Sequence, residues 1–180
     1  QQLRAFFVSL FSTPKVEFEE IISQYHKKYY AFLTLLAEFQ GVVDKKQYEY
    51  LLESCSDVGT SLFHIFHGAY KSSKLILRSS IETFLKGFAK DSYPDIIEET
   101  SMFEIFKNIK SIGYFNHEFI DYIIEKIHQI YKELCKDAHT AEKINMENIS
   151  ALNHFPKFSV TESKKITDLS SKLIKSYISL

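Results

Sequence analysis

The stretch that decides the fold runs from His64 to Lys90, HIFHGAYKSSKLILRSSIETFLKGFAK. Read at 100° per residue, it is one long helix. Phe66, Ser73, Ile76, Leu77, Ser80, Ile81, Phe84 and Phe88 fall on one broad face, as a helix packed against a core requires. The opposite edge is polar. His64, His67, Lys71, Arg78 and Glu82 recur at spacings of three, four or seven residues, so their side chains stack along one side, and Lys74 continues the basic run. An oily rod with a polar stripe predicts a bundle spine whose stripe either orients neighbours or holds a ligand.

Working outward, 180 residues fit a single domain spanning 1–180 and suffice for a continuous core. The 45% hydrophobic and 25% charged content is that of a folded globular chain. Sixteen Phe and eleven Tyr with no Trp point to a core of large flat side chains, and only five Gly and three Pro favour long helices over strands and turns. A formal charge of −1 argues against a generally basic, nucleic-acid-type surface while leaving room for a local basic patch. Only Arg4 and Arg78 are arginine, so Arg78 inside a helix is a singular choice. Cys55 and Cys135 form no disulfide framework, which fits a reducing cytoplasm. No apolar run approaches the roughly 20 residues that span a bilayer, so no membrane association is expected. LRAFFVSLF near the N-terminus is too short for a signal peptide and lacks a cleavage site, and it can continue a helix from residues preceding Gln1.

In chain order, residues 2–11 predict a short apolar helix, and Thr13 with Pro14 a helix start leading through Ile21, Tyr25, Phe32 and Leu36 to a stop at Gly41. Asp44 and Gln47 have capping-box spacing and open a helix through Leu51 and Leu52. At SCSDVGTS, residues 54–61, either the chain turns or one helix runs through. Gly59 tilts the reading towards a break or kink, because Gly inside a helix costs about 1 kcal/mol relative to Ala. Tyr93 and Pro94 end the central helix. A shorter helix follows to about Ile112, with Gly113 as its stop. Asn116 caps the next, where Ile120, Ile123, Ile124, Ile127, Ile130, Tyr131 and Leu134 make an apolar stripe to about Ala138. Residues 140–160 read as an irregular connection, and Thr161 caps a last helix through Ile166, Leu173 and Tyr177. The class is all-α: a single-domain antiparallel helical bundle of about six to seven helices.

Few constellations carry chemistry. Arg78 and Glu82, one turn apart, can form an ion pair that orients helices or present a cation and a carboxylate to one ligand. His128, Lys132, Cys135 and His139 occupy one flank of a later helix. A rise of 1.5 Å per residue separates His128 from His139 by roughly 16 Å, so they cannot share a metal within that helix. Cys135 and His139 are close enough, but two ligands do not make a zinc site. Glu125-x-x-His128 has di-iron spacing in a single copy where two are needed. His64-x-x-His67 is equally incomplete, and phosphate loops and nucleophile elbows are absent. No metal and no cofactor is expected.

Two stretches together, KLILRSSIETFLKGF with its RSxxE pattern and YKELCKDAH about 50 residues later, resemble the HEPN superfamily. The resemblance covers His64 to His139. It implies an all-helical bundle, usually a homodimer, belonging to toxin, antiphage or CRISPR-associated systems, in which many members are metal-independent ribonucleases and others are nucleotide-binding or scaffolding modules. Carried over, Arg78, Glu82 and His139 become the catalytic set, and His64, His67, Lys71, Lys74 and Lys132 the phosphate-binding surround. The chain departs from the pattern at one point. Catalytic members place an Arg a few residues ahead of the His, and Glu133, Leu134 and Cys135 ahead of His139 include none. Lys132 offers only a point charge without the bidentate fork of Arg. Two functions follow. One is a HEPN-like protein that binds RNA or nucleotide phosphate, with cleavage requiring Arg78 to approach His139 across the bundle or a dimer interface. The other is a non-enzymatic helical module that binds a protein partner or a second copy of itself.

Overall fold

The computed structural model describes residues 16–112, 117–136 and 158–180. Among them the chain is all-α, with six α-helices, one 3-10 turn and no strand. The helices are α1 (Val16–Phe39), α2 (Lys45–Phe66), α3 (Tyr70–Ala89), α4 (Met102–Ser111), α5 (Glu118–Lys136) and α6 (Val160–Ser179), with the 3-10 turn at Pro94–Ile97. No helix among the described residues is long and apolar enough to cross a membrane. The expected helix over 2–11, the helix start at Thr13 and Pro14, the Gly113 stop, the Asn116 cap and residues 140–157 of the expected connection lie outside the described residues, as does His139.

The chain breaks in a different place from the one the sequence suggests. Gly59 lies inside α2, and the helix ends at Phe66 instead. Gly68 takes φ 70°, its N–H bonds to the Ile65 carbonyl at 3.1 Å, and the Ala69 N–H bonds to the His64 carbonyl at 2.9 Å. This left-handed Schellman cap is open to glycine at no steric cost. His64–Lys90 is therefore the end of α2, a tight turn and the whole of α3, and the polar stripe does not run continuously from His64 to Glu82 on one helix. Gly59 serves packing instead: a Cβ there would lie 2.7 Å from the Tyr29 hydroxyl of α1.

α2 and α3 make the most intimate pair, and small residues allow it. Ser54 Oγ donates to the Ser80 carbonyl at 2.9 Å, Ser61 and Ser73 hydroxyls meet at 2.7 Å, and Gln47 Nε2 donates to the Gly87 carbonyl at 2.9 Å. Asp44 caps α2 as expected, accepting from the Lys46 and Gln47 amides, but the Gln47 side chain points across to α3 and closes no capping box. α6 is the other pillar. Tyr25 of α1 receives a bond from Ser170 at 3.0 Å and donates to the Val58 carbonyl at 2.7 Å, while the Tyr177 and Ser80 hydroxyls meet at 3.1 Å. Tyr25 opposite Ser170 and Phe32 opposite Tyr177 show that α1 and α6 run parallel, although helices adjacent in sequence such as α2 and α3 are antiparallel.

The core fills between these pillars. Leu77, Ile81, Phe84 and Leu85 of α3 are buried against Phe32, Ile174 and Tyr177, and Phe84 stacks on Tyr177 at 3.8 Å. Each such side chain contributes about 1.5–3 kcal/mol on burial. The expected face of α3 is thus correct at Ser73, Leu77, Ser80, Ile81 and Phe84. α5 buries Ile123, Ile124, Ile127, Ile130 and Leu134, the predicted isoleucine stripe, against α3 and α6. The last helix is capped by Ser159, whose Oγ accepts from the Glu162 amide, and not by Thr161.

Candidate functional site

Arg78 sits near the middle of α3, half-buried on the side that faces α5. Its Nε donates to the Tyr131 hydroxyl at 3.1 Å, and its guanidinium carbon lies 5.3 Å from the centre of the Tyr131 ring. Cys135, one turn beyond Tyr131, adds a further hydrogen-bonding contact. The Tyr131 hydroxyl raises the guanidinium pKa above its already high value, so Arg78 is a permanent cation. Burial pushes the Tyr131 phenol up as well, although Arg78 pulls the other way. One guanidinium edge is therefore fixed on an aromatic platform, the preorganisation that suits Arg to planar anions.

The platform is braced from α4. Phe106 meets Tyr131 edge-on at 5.9 Å and stacks on His128 at 4.3 Å. Burial and the nearby Lys132 lower the His128 pKa below its ordinary value, which favours the neutral imidazole. Glu125 pairs with Lys110 of α4 at 2.9 Å, which depresses its pKa. The Glu-x-x-His spacing is therefore taken up in tying α4 to α5, and no cluster of metal-ligating side chains exists among the described residues.

Glu82 pairs along its own helix. Its Oε1 accepts from Lys86 Nζ at 3.0 Å, one turn further along α3. Lys86 is only 8% exposed, and a buried ammonium requires a counter-charge more than Arg78 does. His64 and His67 lie at the α2–α3 turn, where the His67 ring packs 4.0 Å from Phe63 and its Nδ1 lies 2.7 Å from the Phe63 carbonyl. Lys71 begins α3 near that turn, roughly 10 Å along the helix from Arg78. Lys74 lies between them, and Lys132 is exposed beside Tyr131. Of the expected residues, the structure brings Arg78 onto the helix that carries Lys132, while Glu82 pairs with Lys86 and both histidines lie at the α2–α3 turn. Tyr131 and Phe106 were missed. In the sequence Tyr131 reads as one more apolar residue of the α5 stripe, and nothing in the spacing marks its hydroxyl as the partner of Arg78.

No family model, curated protein or solved structure matches this chain.

Proposed function

We propose that this bundle is a HEPN-like module of a defence or toxin-type system that binds an RNA or nucleotide phosphate at Arg78. One observation carries the reading. The RSxxE helix and the YKELC segment, separated by about 50 residues in sequence, meet through Arg78 and Tyr131 at 3.1 Å. With Nε fixed on Tyr131, the two terminal nitrogens of Arg78 are the natural donors to a phosphate, and Lys132 adds a positive charge nearby. Glu82 has no role in this version, because it serves Lys86. Cleavage is the stricter form of the reading. It requires His139 as general acid or base close to the phosphate that Arg78 holds. The missing Arg ahead of His139 favours binding over cleavage.

The test uses fluorescein-labelled single-stranded RNA and total RNA with purified full chain. Arg78→Ala should weaken RNA binding about tenfold and flatten the dependence of log affinity on log salt by about one ion. Tyr131→Phe keeps the ring but frees Nε and should fall between. Unchanged affinity and salt slope in Arg78→Ala, with unchanged helicity, would refute the phosphate reading. Identical total-RNA profiles for wild type, His139→Ala and a no-protein control would remove cleavage alone. A homodimer belongs to the same proposal and is checked by sizing across a concentration series.

A further inference from the structure

A second surface owes nothing to Arg78. Between α5 and α6 runs an open groove of about 640 Å³ whose floor is Ile123, Ile130 and Leu169. Lys126 stands on its α5 bank and Lys172 and Lys175 on its α6 bank. All three lysines are exposed, and none is in an ion pair with a carboxylate among the described residues. Ser176 and Ser179 also line the groove, but their hydroxyls are turned back onto the Lys172 and Lys175 carbonyls at 3.1 Å and 2.8 Å. They make no polar demand on an occupant.

The groove-lining face of α5 continues towards its N-terminus. At 100° per residue, Phe119 and Tyr122 share the side that carries Lys126, Gln129 and Glu133. They are 51% and 55% exposed, and the Tyr122 ring supports Lys126 Nζ at 4.2 Å. From Ile123 to Glu133 the floor is roughly 15 Å long, about three turns of a docked helix.

We propose that this groove receives an amphipathic α-helix of a partner protein, with an aliphatic stripe on the floor and acidic residues on both flanks. The charge arrangement selects that occupant. Cations on both banks of an apolar floor match a helix with carboxylates on either side of its apolar stripe, the helix-in-groove mode of recognition. A nucleic-acid strand fits less well. The floor is aliphatic where a strand needs stacking platforms, and the Tyr122 ring already carries an ammonium.

The experiment titrates full-length protein into a labelled synthetic helix of about fourteen residues with a leucine stripe flanked by glutamates, read by fluorescence anisotropy. Controls are a scrambled peptide of the same charge, the lysine-flanked version and a labelled RNA. The acidic helix should bind at least tenfold more tightly than its scramble and the lysine-flanked version. Combined Lys126→Glu, Lys172→Glu and Lys175→Glu changes should abolish that preference and leave helicity intact. Leu169→Asp, at the half-buried floor residue, leaves the lysines and should weaken binding about tenfold at unchanged helicity. Equal binding of the scramble would overturn the proposal by reducing it to bulk charge. Tighter binding of the RNA that is lost on charge reversal would make the groove a phosphate track. Concentration-dependent self-association abolished by the reversal would give the groove to a second copy. Arg78→Ala should leave peptide binding unchanged, so this site and the phosphate site fail separately.

Discussion

Replacing Gly87 by alanine tests the close approach of α2 and α3. A Cβ at residue 87 would lie 3.0 Å from both Cγ and Cδ2 of Leu51 and 3.2 Å from the Leu51 backbone nitrogen. Leu51 is only 5% exposed, and its backbone belongs to a helix, so neither can move away cheaply. Overpacking of this kind costs about 1–3 kcal/mol, while Ala in place of a helical Gly contributes about 1 kcal/mol in the other direction. The net expectation for Gly87→Ala is a loss of up to about 2 kcal/mol. Gly59 supplies the internal comparison. Its Cβ would meet the Tyr29 hydroxyl at 2.7 Å, but that is the far end of a half-buried side chain that can swing aside. Gly59→Ala should therefore keep most of the propensity gain and be neutral or stabilised by up to about 1 kcal/mol. Urea denaturation followed by far-ultraviolet circular dichroism reads both, and each kcal/mol corresponds to about 2–4 °C in Tm for a chain of this size. Gly87→Ala as stable as Gly59→Ala would refute the argument that residue 87 must lack a side chain for the two helices to meet.

Two further substitutions test electrostatic assignments. Burial raises the pKa of Asp57 despite a hydrogen bond with Ser79, and its Oδ2 has no hydrogen-bond partner among the described residues. Because the folded pKa lies above the unfolded one, this carboxyl favours folding below its unfolded pKa of about 4, and that advantage is lost as pH rises through the folded value. Asp57→Asn should therefore be more stable than wild type at pH 7, by no more than about 1 kcal/mol given the partial exposure, with the difference gone near pH 3.5. A difference independent of pH in urea titrations would count against it. Glu82→Gln should destabilise by about 1 kcal/mol, because it leaves Lys86 buried without its carboxylate, and should leave RNA affinity unchanged. Lost RNA affinity at unchanged stability would return Glu82 to the phosphate site.

The helices were legible wherever the apolar period was long and the ends carried caps. Asp44, Gly41 and the isoleucine stripe of α5 mark positions where local chemistry and tertiary packing agree. The glycines show where they part. Gly59 and Gly68 look alike in sequence, yet one accommodates Tyr29 from a distant helix and the other takes a left-handed φ, and only the three-dimensional neighbour distinguishes them. Reading through Gly68 merged two helices and created a polar stripe whose ends belong to different elements. At the site, Arg78 was visible as a rare arginine in a helix. Its assignment to Tyr131 was not, since spacing within one helix favours Glu82 at i+4 while a partner on another helix leaves no mark in local sequence.

The serine and tyrosine hydroxyls that join the pillars have a further consequence for how the helices are aligned. Hydrogen bonds are directional, so sliding one helix along another by a turn would separate Ser80 from Tyr177 and Ser170 from Tyr25 and leave buried hydroxyls unpaired. These groups also carry no charge over most of the pH scale. Burial holds the Tyr25 and Tyr177 phenols protonated far above their usual range, and serine does not titrate. Acid that protonates the carboxylates of exposed pairs such as Lys107–Glu104 and Lys165–Glu162 leaves this alignment untouched. The folded pKa values of both phenols exceed the unfolded value of about 10, so their contribution is fully present below it and declines only in stronger alkali. The axial alignment of α1, α3 and α6 is thus set by neutral groups.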